Sequence, residues 1–347
     1  SAFATYLLVV NSLSSYKSRK MKSADWEVLT RATEWLNDGH TAHLFTVIQT
    51  WGSAPRLPGA VLVVRDDGHL IGSVSGGCIE DDLADKARQQ LLPEQPSIME
   101  YGISQTEAQR FRIPCGGRLQ VFVEPLVDAA QLAPILNSIE QRKLLKRSVN
   151  VTTGQIKLAN VLPEGLPRME GDWFHTYFGP QWRLLIIGAN QLGSVLASMA
   201  QVLDFDVLIC DPREEMQAEW HVEGAKWMYG MPDDVVLEIE PDAHTAIVAV
   251  THDPKLDDMA LLEALKSNAF YVGALGAVKN QEKRRARLRS FDLTEAEIAK
   301  LNGPVGLNIG SRTPAEIAIA ILAELIQVRS QQQKMGINVV ENIRCTA

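Results

Sequence analysis

Two cysteines in this chain each stand beside a pair of glycines. In GSVSGGCIEDDL, residues 72–83, Cys78 follows Gly76 and Gly77 and opens what reads as a helix. In RIPCGGRLQV, residues 112–121, Cys115 precedes Gly116 and Gly117 and leads into a strand. A thiolate is both a nucleophile and a soft metal ligand, and backbone amides at a helix start favour it. Arg112 and Arg118 flank Cys115 and would favour a thiolate or a bound anion there. Glu80, Asp81 and Asp82 follow Cys78, and their charges would raise its pKa and repel an anionic ligand. For both cysteines the alternative is plain packing. The loop GSAPRLPGA carries Arg56 and Gly59 toward a strand, either to line an anion pocket or as a solvated turn.

A second constellation is nucleotide-like. Gly188 and Gly193 in IIGANQLG hold the first and third glycine places of a dinucleotide-binding turn, and Asp211 ends the following apolar run where an acid would meet a ribose hydroxyl. Asn190 holds the middle place, where any side chain narrows the approach of a pyrophosphate, although asparagine tolerates positive φ better than most residues. The alternative is that the glycines only permit close strand–helix packing. His252 and Asp253, just after the run TAIVAV, are candidate ligand contacts, with His252 a proton carrier or a helix-cap neighbour. Thr313-Pro314-Ala315-Glu316 has the pattern of an N-cap, and Arg312 ahead of it suits an anionic ligand.

The elements that must position these residues fall into two groups. Trp26, Leu29, Ala32, Trp35 and Leu36 recur at helical spacing, and HLFTVIQT, AVLVVRD, HLIGSV and LQVFVEPL read as strands, with a hairpin turn at Asp66 to Gly68. Ile79, Leu83, Ala87 and Leu91 predict a helix over residues 79–92 stopped by Pro93, and a further helix is expected over residues 131–145. This first half is α+β. From Trp182 onward apolar strands and helices alternate, the pattern of a Rossmann-like, doubly wound parallel sheet. The expected domains are residues 21–180 and 181–330, with 331–347 as a tail. Met21 reads as a native start, leaving residues 1–20 as a non-native or upstream extension.

Composition narrows the function classes. A chain of 347 residues suggests roughly two domains at ~150 residues each. A net charge of -8 argues against nucleic-acid binding, and the basic run KRRARLR at residues 283–289 is expected to be a solvated helix face or a local anion contact. No apolar run approaches the ~20 residues of a membrane helix. Four widely spaced cysteines fit a reducing, cytoplasmic setting; Cys210 lies in an apolar strand and reads as core, Cys345 as tail.

Taken together, GSAPRLPGA, GSVSGGCIE, PCGGRL, IIGANQLG, THDPKLD, YVGALGAVKNQEKRRARL and GPVGLNIGSRTPAEIAIAILAELI resemble the XdhC/CoxI family of molybdenum hydroxylase maturation factors, in family order over residues 51–326. The resemblance implies an N-terminal XdhC domain, a C-terminal Rossmann domain and a homodimer. It implies a chaperone that binds molybdenum cofactor, protects it while a cysteine-desulfurase-type donor supplies its sulfido ligand, and delivers it to a xanthine, aldehyde or carbon-monoxide dehydrogenase. By motif, Cys78 and Cys115 would touch the cofactor, with Gly76, Gly77, Gly116 and Gly117 shaping their turns. The rival expectation is an NAD(P)-dependent oxidoreductase that uses Gly188, Gly193 and Asp211, with His252 as proton carrier.

Overall fold

In a computed structural model, residues 24–51, 56–102, 118–161, 165 and 167–344 are described, without the side chains of Ala24, Cys78 and the residues beyond 331. The chain divides into two compact units between Pro180 and Gln181. In the first, helix α1 (Ala24–Asn37) precedes strands β1 (Ala42–Trp51), β2 (Val61–Arg65) and β3 (Leu70–Gly72), then helix α2 (Cys78–Arg88), β4 (Ser97–Tyr101) and β5 (Arg118–Leu126). These strands form an antiparallel sheet in the order β3-β2-β1-β5-β4. Successive residues of a strand point to opposite faces, and here both faces are covered. Leu44, Val61 and Val63 pack with Val28, Leu29, Ala32 and Trp35 of α1, while Phe45, Val47, Leu62 and Val64 pack with Ile79, Leu83 and Ala87 of α2.

The rest of this unit is helix α3 (Ala133–Glu140) and an antiparallel sheet, in the order β7-β6-β9-β8, of β6 (Leu145–Asn150), β7 (Ile156–Asn160), β8 (Arg168–Glu170) and β9 (Trp173–Phe178). A buried Arg147–Glu124 ion pair and the Phe122–Phe174 ring contact, centroids 4.5 Å apart, tie the two sheets together.

The second unit carries β10 (Arg183–Ile187), α4 (Gln191–Val202), β11 (Asp206–Cys210), α5 (Glu214–Ala218), β12 (Lys226–Met228), α6 (Pro232–Glu238), β13 (Thr245–Ala249), α7 (Pro254–Ala264), β14 (Tyr271–Ala274), α8 (Val278–Ser290), α9 (Glu295–Ala299), β15 (Leu301–Asn302) and, as far as Gln331, α10 (Pro314–Arg344). Its six strands are parallel in the order β12-β11-β10-β13-β14-β15, the doubly wound order whose switch point lies between β10 and β13. Leu185, Ile187, Ile247 and Ala249 face a core built with α6, α7 and α8, whereas Leu184, Ile186, Ala246 and Val248 face α4 and α10. Helices on both faces explain why these strands read as unbroken apolar runs.

Two expectations are corrected. The helix over residues 79–92 ends at Arg88, because Gln90 turns left-handed (φ 57°) and the Leu91 amide bonds back to the Lys86 carbonyl at 2.8 Å. Leu91 is therefore 65% exposed, and Leu92 is the residue that reaches the core. The helix over residues 131–145 ends at Glu140: Arg142 turns left-handed (φ 55°), the Lys143 amide closes on the Ser138 carbonyl, and Leu145 already starts β6. Residues 331–344 of the expected tail are helical, the last part of α10. Residues 1–20 and Cys345 lie outside the described residues.

Candidate functional site

The turn ahead of α2 is organised by Glu80. Its buried carboxylate curls back over the preceding loop and accepts from four successive amides: Val74 (2.9 Å), Ser75 (2.8 Å) and Gly76 (3.0 Å) on Oε1, and Gly77 (2.8 Å) on Oε2. The Ser73 hydroxyl donates to Oε1 at 2.8 Å and the Ser75 hydroxyl to Oε2. Burial alone would push this carboxyl up, but the Ser75 hydroxyl and amide and the Ser73 hydroxyl outweigh it and hold it at about 2. Gly76, at φ 87°, supplies the left-handed step that wraps the loop around the carboxylate.

The three acids that follow Cys78 have different surroundings. Glu80 keeps its charge, which the amides and hydroxyls of its own loop hydrogen-bond. Asp82 takes a hydrogen bond from the Tyr101 hydroxyl at 3.1 Å and pairs with Lys86 at 2.7 Å. Of the three, only Asp81 is exposed. Cys78 is the first residue of α2, directly after Gly77, and a Cβ built on Gly77 would meet nothing within 4 Å among the described residues. The turn thus holds a cysteine backbone at a helix start, with its amides already consumed. Arg56 is exposed on the approach to β2. Cys115, Gly116 and Gly117 lie outside the described residues.

The nucleotide-like turn between β10 and α4 is filled from within. Asn190 sits at φ -76°, so the positive φ that asparagine tolerates is not used. Instead its Oδ1 accepts from the Gly193 amide at 2.9 Å, capping α4, and its Nδ2 donates to the Val250 carbonyl at 2.6 Å across the switch point. Asp211, with a fully buried side chain, accepts from the Ala189 amide at 2.9 Å and from Arg213 Nε and Nη2 at 2.8 and 2.6 Å. Burial works against its charge, yet the Arg213 side chain and the amides of Ala189 and Arg213 hold the carboxyl below the ordinary range. A Cβ on Gly193 would lie 2.1 Å from the Gly188 carbonyl oxygen, and one on Gly188 2.9 Å from the Thr251 amide, so packing alone demands both glycines. Cys210 is fully buried; burial, then the charges of Asp211 and Asp233, push its thiol up to about 12.

A cleft of about 290 Å³ opens at the carboxyl ends of β13 and β14, between the starts of α7 and α8. His252 stands at its lip in a left-handed conformation, φ 65°. Asp253 does not line it; its carboxylate caps α7 through the Lys255 amide at 2.9 Å. The basic run 283–289 is only in part a solvated face: Lys283 and Arg289 are exposed, but Arg284 is buried and bonds to Asp257 (2.8 Å), Asp258 (3.2 Å) and the Leu275 carbonyl (2.9 Å). Arg287 pairs with Asp258 at 2.6 Å. Burial pushes the Asp257 carboxyl up against the lowering by Thr251 and Arg284. Arg312 is exposed ahead of α10, where its amide and that of Thr313 donate to Glu316 at 2.7 and 2.9 Å, the expected capping arrangement.

Two family models match this architecture: XdhC and CoxI family over residues 35–102, and XdhC Rossmann domain over residues 184–325. The chain belongs to the XdhC and CoxI family. It is 28% identical to the molybdenum cofactor insertion chaperone PaoD of Escherichia coli strain K12, across 88% of this chain and 89% of that protein. It is 26% identical to a probable xanthine dehydrogenase subunit from Bacillus subtilis strain 168, across 85% of this chain and 96% of that protein. A crystal structure from Bacillus halodurans, described as a xanthine dehydrogenase, shares the fold with a TM-score of 0.68 at 24% identity, covering 87% of this chain and 96% of that one.

Within this XdhC-family chain, sequence reasoning missed Glu80 and Arg284. Glu80 stands three residues after the N-cap glycine, the spacing of a capping box, and that signal could have placed its carboxylate on the turn. Arg284 carried no local signal, since its partners Asp257 and Asp258 lie on α7, 27 and 26 residues earlier in the chain. Among the described residues no helix is long and apolar enough to cross a membrane, and no group of three His, Cys, Asp or Glu residues could hold a metal ion.

Proposed function

We propose that this chain is a maturation factor that binds molybdenum cofactor in its N-terminal unit and hands it to a molybdenum hydroxylase of the xanthine, aldehyde or carbon-monoxide dehydrogenase type. The observation that carries the reading is the turn at residues 73–78. Glu80 saturates the turn amides, so the turn is not an anion nest; what it presents is the backbone of Cys78 at a helix start, with no described residue within 4 Å of a Cβ placed on Gly77. A cysteine at that position offers, once deprotonated, a soft ligand suited to a metal–sulfur centre. The similarity to a protein named for inserting this cofactor supports the same reading.

The finer parts of the proposal are that Cys78 and Cys115 are the contacting thiols, with Gly76, Gly77, Gly116, Gly117 and Arg56 around them. The cofactor is shielded while a cysteine-desulfurase-type partner supplies its sulfido ligand, and the working form is a cytoplasmic homodimer. The rival reading as an NAD(P)-dependent oxidoreductase meets an obstacle in the second unit. The Gly193 amide and the Asp211 carboxylate, which would hold the dinucleotide, already serve Asn190, Ala189 and Arg213.

Anaerobic titration with molybdenum cofactor, followed by transfer to an apo-hydroxylase, tests the proposal. Wild type is expected to bind and transfer, and Cys78→Ala to bind roughly tenfold or more weakly, a loss of about 1.4 kcal/mol or greater. Unchanged binding in both Cys78→Ala and Cys115→Ala removes the cysteine assignment, and no binding by wild type removes the chaperone reading.

A further inference from the structure

We infer that the cleft between α7 and α8 is a phosphoryl-binding site, taking a phosphate monoester or pyrophosphate in place of the filled glycine turn. This inference stands on the second unit alone and does not depend on the cofactor reading. The cleft is lined by His252, Asn280, Lys283, Arg284 and Arg287, with Asp257 as its one acid. Asp257 is spent: its Oδ1 takes the Thr251 hydroxyl at 2.7 Å and its Oδ2 takes Arg284 at 2.8 Å. Arg284 and Arg287 are held by carboxylates and fix the wall.

Three polar side chains are left over. Neither Lys283, nor the Asn280 carboxamide, nor the His252 ring makes a hydrogen bond or ion pair among the described residues, and all three line the same cleft. The floor is the Leu275–Gly276 stretch, fastened by Gln281 Nε2 to the Ala274 and Gly276 carbonyls at 3.1 and 3.3 Å. At its edge α8, 13 residues long, begins from Ala277 with no side-chain cap. A cation and an amide donor lining one cavity, beside a helix start without a side-chain cap, match the needs of a tetrahedral, multiply charged oxyanion.

The same cavity limits the ligand. At about 290 Å³ it holds a pyrophosphate and part of a sugar, and its lining includes no Phe, Tyr or Trp on which a base could stack. It therefore grips the phosphate end of a ligand. The position agrees with the general rule that open α/β sheets bind ligands beyond the carboxyl ends of their strands.

Calorimetric titration of the full chain with inorganic pyrophosphate and with cytidine 5′-diphosphate tests this. Binding of either probe, weakened roughly tenfold by Lys283→Ala and also by Asn280→Ala with thermal unfolding unchanged, supports the site. Tighter binding of the nucleotide identifies a nucleotide phosphate as the source, and equal binding identifies a free one. Absence of heat for both probes at millimolar concentration, or binding that both variants leave unaltered, overturns it.

Discussion

The turn ahead of α2 and the turn ahead of α4 begin alike, as a glycine-rich loop running into a helix start, and both are closed by the protein's own side chains. The first is closed by a charge, because Glu80 reaches back from inside the helix to four amides. The second is closed by the neutral Asn190 at the cap, with Asp211 arriving from the neighbouring strand. Glycines ahead of a helix show that amides are gathered; which side chain answers them decides whether a ligand can. The start of α8 differs from both, since it has a cleft and no side-chain cap.

Removing the charged plug should have the larger effect. Glu80→Ala strips the acceptor from the amides of residues 74–77 and is expected to destabilise the first unit by roughly 2–3 kcal/mol. Because the folded carboxyl is depressed from its ordinary 4.5 to about 2, its contribution is fully present above about pH 4.5 and is lost as the pH falls through about 2. Denaturant unfolding of wild type and variant across that window should show the difference shrinking toward acid. A difference independent of pH would mean that packing, rather than the carboxylate, closes the turn.

The neutral plug should matter less for stability and more for specificity. Asn190→Gly loses the cap on Gly193 and the bond to the Val250 carbonyl, a cost of roughly 1 kcal/mol. It also restores the open approach of a dinucleotide turn. Titration with NADH or NADPH, followed by fluorescence, is expected to give tighter binding in the variant than in wild type. Equal affinity would show that Asp211, tied to Arg213, is the stronger obstacle.

The sequence made the Rossmann half legible because buried parallel strands are apolar without interruption, and Ile187, Gly188 and Asp211 stand where that pattern puts them. It also exposed the antiparallel strands through Val61–Arg65 and Arg118–Leu126. Helix ends were harder to read, since Gln90 and Arg142 adopt the left-handed step that glycine usually marks. Short edge strands such as Lys226–Met228 and Leu301–Asn302 lack the length to show a period. The site residues were readable as types but not as partnerships. Nothing local tells a first-turn acid such as Glu80 from one that faces water, or says that Arg284 will be spent on Asp257 and Asp258.

His252 offers the finest test of the contrast between filled and open helix starts. Its left-handed backbone costs a non-glycine residue of order 1 kcal/mol, and it pairs with no group among the described residues that would offset this. Glycine relieves that strain but adds freedom to the unfolded chain, so His252→Gly should stabilise the second unit by only roughly 0.5 kcal/mol. Thermal unfolding should therefore rise by about 1–2 °C. If the ring serves the cleft, pyrophosphate binding should weaken in the same variant, so that stability and affinity move in opposite directions. Should both rise together, the strain at His252 would belong to the strand-to-helix connection, and Lys283 and Asn280 would hold the anion without it.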